Sequence, residues 1–382
     1  MTFDTSTWEE ISFGEIARSL TNAVKNPLAA NLGRYVGLEH IEPGNIHIKS
    51  WGNVADGITF TRVFRKGHVL FGKRRAYQKK AAVAEFDGIC SGDILVLEAI
   101  EKSLSPELLP FIVQSDRFFD CAVKTSAGSL SPRTKFKDLA KFSFKLPPLD
   151  EQKRIADLLW SIDETVECYI SLLNKVVAFK NSYFKDIHED KKQKAVSISE
   201  VAEINPQINR EKISKDTRVS FIAMTDVSEE GCIIRKEDKI YKKIRNGFTP
   251  FEEGDILFAK ITPCMENGKG AIATGLTNRL GFGSTEFHVL RAKNEDDKYY
   301  LFYLTTMYHL RKKAEQLMTG SAGQKRVPAD FFDFYKVGFP DMKKRRFIGD
   351  QMRLFDEKIA DVKKIIESTK TIKKQIINQI FG

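Results

Sequence analysis

Between Arg62 and Lys80 the chain carries eight basic residues and no acidic one: Arg62, Arg65, Lys66, Lys73, Arg74, Arg75, Lys79 and Lys80. Tyr77 sits inside the run. Lysine and arginine neutralise phosphates and release counterions, arginine also forks onto guanine, and an aromatic ring packs on a sugar or a base. The competing reading is a solvated edge strand whose lysines discourage aggregation. The tight clustering behind a glycine turn favours contact with a polyanion, and Arg62, Lys73, Arg74, Arg75, Tyr77, Lys79 and Lys80 are the expected contacts. A second group, Arg133 and Lys135, follows Ser126-Ala-Gly128 in a loop whose backbone N–H groups suit phosphate. In the second half of the chain, Lys260, Thr262, Asn267 and Lys269 form a sparser counterpart of the first run, and Gln324, Lys325 and Arg326 a counterpart of the second. Contact with about six phosphates implies a roughly thousandfold loss of affinity between about 50 and 200 mM salt.

Residue patterns for covalent chemistry are missing. The one Pro-Pro, in Leu146-Pro-Pro-Leu149, lacks the flanks of an amino-methyltransferase motif, and Gly281-Phe-Gly283 is a lone GxG better read as a turn. No GxxxxGK[ST] loop for a nucleoside triphosphate occurs. Pro340-Asp341 followed by Asp356-Glu-Lys358 imitates a nuclease pattern, but these residues fall on a heptad helix. The five cysteines form no CxxC pair and the six histidines are scattered, so no metal site is expected. The reading is a chain without catalytic residues, metal or cofactor of its own.

Two long helices must position the basic loops. One runs from about Asp150 to Ile187, the other from about Asp341 to Phe381; neither contains proline, and Gly349 interrupts only the second. Asp150 and Asp341, each just beyond a proline, suit a helix start. The second helix carries Ile348, Met352, Phe355, Ile359, Val362, Ile366, Ile376 and Ile380 in alternating steps of four and three, with Thr369 and Lys373 as polar members. The first shows Leu159, Ile162, Val166, Tyr169, Leu173, Val176, Tyr183 and Ile187, with Lys180 as its polar member. These are coiled-coil seams, and two of them of similar length, each ending a half-chain, predict mutual pairing. A helix of about 38 residues is about 57 Å long, between one and two turns of B-DNA at about 34–36 Å per turn.

The halves repeat. Phe64-Arg-Lys-Gly-His-Val-Leu-Phe-Gly-Lys73 matches Phe251-Glu-Glu-Gly-Asp-Ile-Leu-Phe-Ala-Lys260; Ser126-Ala-Gly128 recurs as Ser321-Ala-Gly323, and Asp163-Glu164 as Asp356-Glu357. The pairs lie 187 to 195 residues apart in the same order, which means repeated domains rather than a solenoid. The predicted class is α+β: two α/β domains in tandem, 1–148 and 191–340, alternating with helices at 149–190 and 341–382 that pair as an antiparallel coiled coil about a pseudo-twofold. Strands are expected at Gly67–Lys73, Gly254–Lys260, Phe221–Met224 and Glu286–Leu290, single helices at Pro106–Cys121 and Tyr299–Met318, and a boundary at Lys191–Lys194. With 382 residues, 42% of them hydrophobic, each half can bury a core, and the net charge of +10 favours nucleic acid. No apolar run approaches the roughly 20 residues of a membrane span, and the first residues lack a signal-peptide pattern, so a cytoplasmic location is expected.

The run Leu146-Pro-Pro-Leu-Asp-Glu-Gln-Lys-Arg-Ile-Ala156, leading into Ser161-Ile-Asp-Glu164, resembles the start of the first conserved helix in Type I restriction-modification specificity subunits. The alternation of two variable domains with two conserved helices extends the resemblance over essentially the whole chain. The second copy, Phe339-Pro-Asp-Met-Lys-Lys-Arg-Arg-Phe-Ile-Gly349, departs from it by lacking the Pro-Pro and the Glu-Gln. The resemblance implies a non-catalytic subunit in which each domain reads one half of a split double-stranded DNA target. It implies two methyltransferase partners that bind S-adenosylmethionine and modify adenine, and a motor-nuclease partner for cleavage. Alternatives are a recognition subunit of another phage-defence methyltransferase, a recognition remnant of a fused methyltransferase-nuclease, and an assembly protein without base preference.

Overall fold

The computed structural model describes residues 6–188, 193–321 and 323–382. Lys191 and Lys192 of the expected boundary, and Ala322 of the second Ser-Ala-Gly, lie outside the described residues. The chain divides into two compact units, residues 1–171 with 363–382, and residues 172–362. Each unit therefore takes one part of either long helix together with one globular part.

In the first unit, Glu9–Ser12 pairs with Ser143–Leu146, and a one-turn helix, Phe13–Ile16, follows. Ser12 and Glu15 close a capping box, with the Ser12 N–H donating to Glu15 Oε2 at 2.7 Å. One antiparallel sheet takes the order Ala17–Leu20, Ile94–Ala99, Val69–Gly72, Ala81–Val83. A second takes Gly52–Asn53, Arg34–Val36, Gly88–Cys90, Arg62–Phe64, with its central pair parallel. The strand Val69–Gly72 is apolar throughout because both its faces are covered: Val69 and Phe71 enter one core, Leu70 another.

The second unit repeats this plan. Lys194–Ser197 pairs with Lys336–Phe339, and Ser197 and Glu200 form the corresponding capping box. The sheets run Ala202–Ile204, Phe287–Ala292, Ile256–Ala259, Gly270–Ile272 and Glu237–Ile240, Arg218–Ile222, Leu280–Gly283, Thr249–Glu252, again with a parallel central pair in the second. Gly67 (φ 91°) and Gly254 (φ 93°) take the same left-handed turn ahead of equivalent strands, a conformation that only glycine adopts without strain.

Two of the expected helices are each two helices. Pro106–Cys121 resolves into Leu109–Gln114 and Asp116–Lys124, broken at the extended Ser115. Tyr299–Met318 resolves into Lys298–Thr306 and Tyr308–Gln316, broken at the extended Met307. The strand expected at Phe221–Met224 is Arg218–Ile222, followed by a 3-10 turn.

The long helices span Leu149–His188 and Met342–Phe381. The Asp341 carboxylate caps the second, accepting from the Lys344 N–H at 3.0 Å; the first is started by the Pro148 carbonyl, which takes the N–H groups of Glu151 and Gln152. In the first unit Ile155, Ala156 and Leu159 share a core with Ile377, Ile380 and Phe381, while Asp163 meets Lys373, so the helices run antiparallel. In the second unit the rings of Phe179 and Tyr183 meet Phe355. Of the seam residues, Leu159, Val166, Met352 and Ile366 are buried, and Ile162, Leu173, Phe355, Ile359 and Val362 half-buried. Gly349 lets the second helix approach Tyr299 and Tyr300, where a Cβ would stand 2.9 Å from the Tyr299 Cβ. Among the described residues, no helix is long and apolar enough to cross a membrane.

Candidate nucleic-acid interface

In the first unit the strand Val69–Gly72 runs into a tight loop. A 3-10 turn, Ala76–Gln78, is bounded by Arg75 (φ 53°) and Lys79 (φ 52°); left-handed backbone costs a non-glycine residue about 1–2 kcal/mol. This turn raises Tyr77, which is 57% exposed. The segment around Arg133, distant in sequence, docks beside it. The Thr134 N–H donates to the Lys73 carbonyl at 3.0 Å, the Arg75 N–H donates to the Pro132 carbonyl at 2.8 Å, and Arg74 bridges to Arg133. The Lys73 N–H donates to the Asp93 carbonyl at 3.0 Å. The Asp93 carboxylate holds both arginines, accepting from Arg133 Nε at 2.8 Å and Arg74 Nη1 at 3.2 Å, while Arg74 Nε donates to Ser131 Oγ at 2.5 Å. Burial works against the Asp93 charge, but the two arginines outweigh it and its pKa lies below the usual carboxylate value. Burial, with Arg62 nearby, lowers that of Lys73.

The second unit builds the same junction. The Val327 N–H donates to the Lys260 carbonyl at 2.9 Å, the Thr262 N–H to the Lys325 carbonyl at 3.0 Å, the Lys260 N–H to the Glu286 carbonyl at 2.9 Å, and Ile261 bridges to Arg326. Glu286 grips Arg326 with both oxygens, at 2.8 Å from Nε and 2.7 Å from Nη2. That guanidinium lowers the Glu286 pKa, and the carboxylate raises that of Arg326. Buried His288 donates from Nε2 to the Val327 carbonyl at 2.8 Å, and burial lowers its pKa, favouring the neutral ring.

The sequence-predicted residues thus fall into two groups. Arg62, Lys79 and Lys80 are tied to the Ile94 carbonyl, Asp116 and the Leu38 carbonyl. Arg74, Arg133 and Arg326 are held by carboxylates. Thr262 donates to Glu266, Asn267 to Glu229 and Lys269 to the Met224 carbonyl. The side chains of Lys73, Arg75, Tyr77 and Lys135 in the first unit, and of Lys260, Gln324 and Lys325 in the second, have no hydrogen-bond partner among the described residues; Lys73 and Lys260 are half-buried and the rest exposed. Unengaged cations, an amide and a phenol ring beside fixed arginines can neutralise phosphate and meet base edges. Asp93 and Glu286 lie outside the basic and aromatic clusters that mark the loops in the sequence. The repeat would have exposed them: Asp93 to Glu286 and Arg133 to Arg326 are both steps of 193 residues. Asp356, part of the imitated nuclease pattern, has its two oxygens taken by Lys180 and Tyr303.

The family model for the type I restriction modification DNA specificity domain matches residues 5–176 and again 190–381. The chain is 39% identical over 163 residues to the Type I restriction enzyme EcoEI specificity subunit of Escherichia coli, covering 42% of this chain and 27% of that one. It is 42% identical over 156 residues to the EcoAI specificity subunit of the same organism, covering 40% and 26%. It thus spans about a quarter of the length of these two relatives. The MjaVIII specificity subunit of Methanocaldococcus jannaschii matches at 23% identity over 77% of this chain and 73% of that one. The Type-I restriction-modification system S subunit from M. genitalium shares the fold at a TM-score of 0.63 and 13% identity, covering 100% and 98% of the two chains. A chain from a type I R-M system shares it at 0.58 and 17%, covering 98% of each. With both halves matched by one model and both built on one plan, the chain belongs to the type I restriction modification DNA specificity domain family.

Proposed function

We propose that this chain is the DNA-reading specificity subunit of a Type I restriction-modification complex, and that each unit's loop junction reads one half of a split double-stranded target. The observation that carries this reading is the duplicated junction. The same backbone bonds join a post-strand loop to a distant basic segment in either unit, and each copy leaves polar or cationic side chains unengaged. A structural edge would have little reason to preserve that plan twice.

The paired helices, each 40 residues long, serve in this reading to fix the number of unread base pairs between the two half-targets. Two surfaces on one spacer gain from effective concentration without new contacts. The chain recognises, and its partners carry the chemistry: two methyltransferase subunits supply S-adenosylmethionine and modify adenine, and a motor-nuclease subunit joins for cleavage. Co-expression with the neighbouring methyltransferase gene, followed by mapping of methylated adenines, tests this. A two-part motif with a fixed gap is expected. Methylation without base preference would overturn the proposal.

A further inference from the structure

Each long helix places a lysine where its heptad calls for an apolar residue: Lys180 in the first, Lys373 in the second. In the first unit, Lys373 Nζ donates to Asp163 Oδ1 at 2.6 Å, and the other oxygen, Oδ2, lies 2.6 Å from His47 Nε2. The Asp163 side chain is 4% exposed and that of Lys373 12%. In the second unit, Lys180 donates to Asp356 Oδ1 and the Tyr303 hydroxyl donates to Oδ2 at 2.6 Å. Each carboxylate is thus bound on one oxygen by the opposite helix and on the other by a ring of its own unit's globular part. Asp163 and Asp356 begin the two copies of the repeated Asp-Glu pair, so the arrangement has been kept in both.

An apolar seam would be at least as stable, because charges taken out of water lose hydration that their attraction only partly returns. A polar residue at a seam position instead selects one register, at a cost in stability. The heptads alone allow the helices to slide past each other by seven residues, about 10 Å, which would set Lys373 against Ala156 or Ile170 and Lys180 against Gly349 or Lys363, with no carboxylate opposite either lysine. His47 is further held by Glu85, 2.5 Å from its Nδ1, and the Asp163 bond raises its pKa. Burial and the Asp356 charge push the Tyr303 phenol up, so it keeps the proton it donates.

We propose that Asp163 and Asp356 are positioning residues that lock the register of the helix pair and seat each globular part upon it, and that they thereby set the gap the complex accepts between half-targets. The proposal rests on the specificity-subunit reading.

The test uses the complex assembled with its methyltransferase partner and a set of duplexes bearing the native half-sequences, with the gap native or changed by one or three base pairs. The wild-type complex is expected to methylate at the native gap alone. Asp163→Asn and Asp356→Asn are each expected to raise methylation at altered gaps relative to the native gap by at least about tenfold, equivalent to about 1.4 kcal/mol, with both half-sequences still required. The exchange Lys180→Asp with Asp356→Lys rebuilds the cross-helix pair, leaves the Tyr303 hydroxyl free to accept, and should return the strict gap. Asparagine variants that methylate with an unchanged gap preference, or an exchange that leaves the gap relaxed, would overturn the proposal. A wild-type complex that ignores either half-sequence would overturn the specificity reading itself, and the proposal with it.

Discussion

The amide of Gln152 satisfies three backbone groups at once. Its nitrogen donates to the carbonyls of Pro147 at 2.9 Å and Ser103 at 3.3 Å, and its oxygen accepts from the Ser105 N–H at 2.9 Å, all within a site where Gln152 is 2% exposed. The neighbouring Glu151 accepts from the Trp8 indole at 3.1 Å. In the second copy Arg345 stands at the equivalent position: it donates to the Pro340 carbonyl at 2.5 Å and binds both oxygens of buried Asp297 at 2.7 and 2.9 Å. The departure of the second motif is therefore an exchange of an amide for an ion pair at the same job. Gln152→Ala takes the partner from the buried Pro147 carbonyl and Ser105 N–H and from the half-buried Ser103 carbonyl, and should lower stability by about 1–3 kcal/mol; a urea melt with an unchanged midpoint would contradict this. The basic residues of the junctions were legible because their charge is visible in composition. Their acidic holders were not, since Asp93 reaches Arg133 only through a fold that closes 40 residues of chain.

The long helices were legible because nothing breaks them: they lack proline and keep one heptad phase over 40 residues each. The shorter helical stretches misled for local reasons. Ser115 turns its side chain to accept from the Phe118 N–H at 3.3 Å, starting a new helix in the polar step Gln114-Ser-Asp-Arg117 between two apolar runs. Met307, extended at φ −63° and ψ 134°, ends one helix and begins another, and the offset lets the Arg311 guanidinium, 6% exposed, reach the carbonyls of Thr305 and Met265 at 2.8 Å. A burial-driven break of this kind leaves no glycine or proline to mark it. Ile366, 5% exposed in the seam, lies in unbroken helix. Ile366→Pro removes a backbone donor and clashes with the preceding turn, so it should cost about 3 kcal/mol or more. The readout is the helical circular-dichroism signal on denaturant titration, and an unshifted transition would count against a continuous helix there.

At the scale of the whole chain, the repeated fragments revealed a duplication but not its sheets. The parallel pairings Arg34–Val36 with Gly88–Cys90 and Arg218–Ile222 with Leu280–Gly283 join strands more than 50 residues apart, and no turn motif announces them. The duplicated plan nevertheless makes a sharp functional demand: two equivalent junctions should read separate parts of one target. The direct measurement compares methylation motifs of complexes assembled with Arg75→Ala/Tyr77→Ala and with Gln324→Ala/Lys325→Ala. Losing a good base contact relaxes discrimination by about 1–3 kcal/mol. The first variant should therefore tolerate changed bases in one half of the motif alone, and the second in the other half alone. If either variant relaxed both halves equally, or both variants kept the full motif at unchanged affinity, the junctions would not be the reading surfaces.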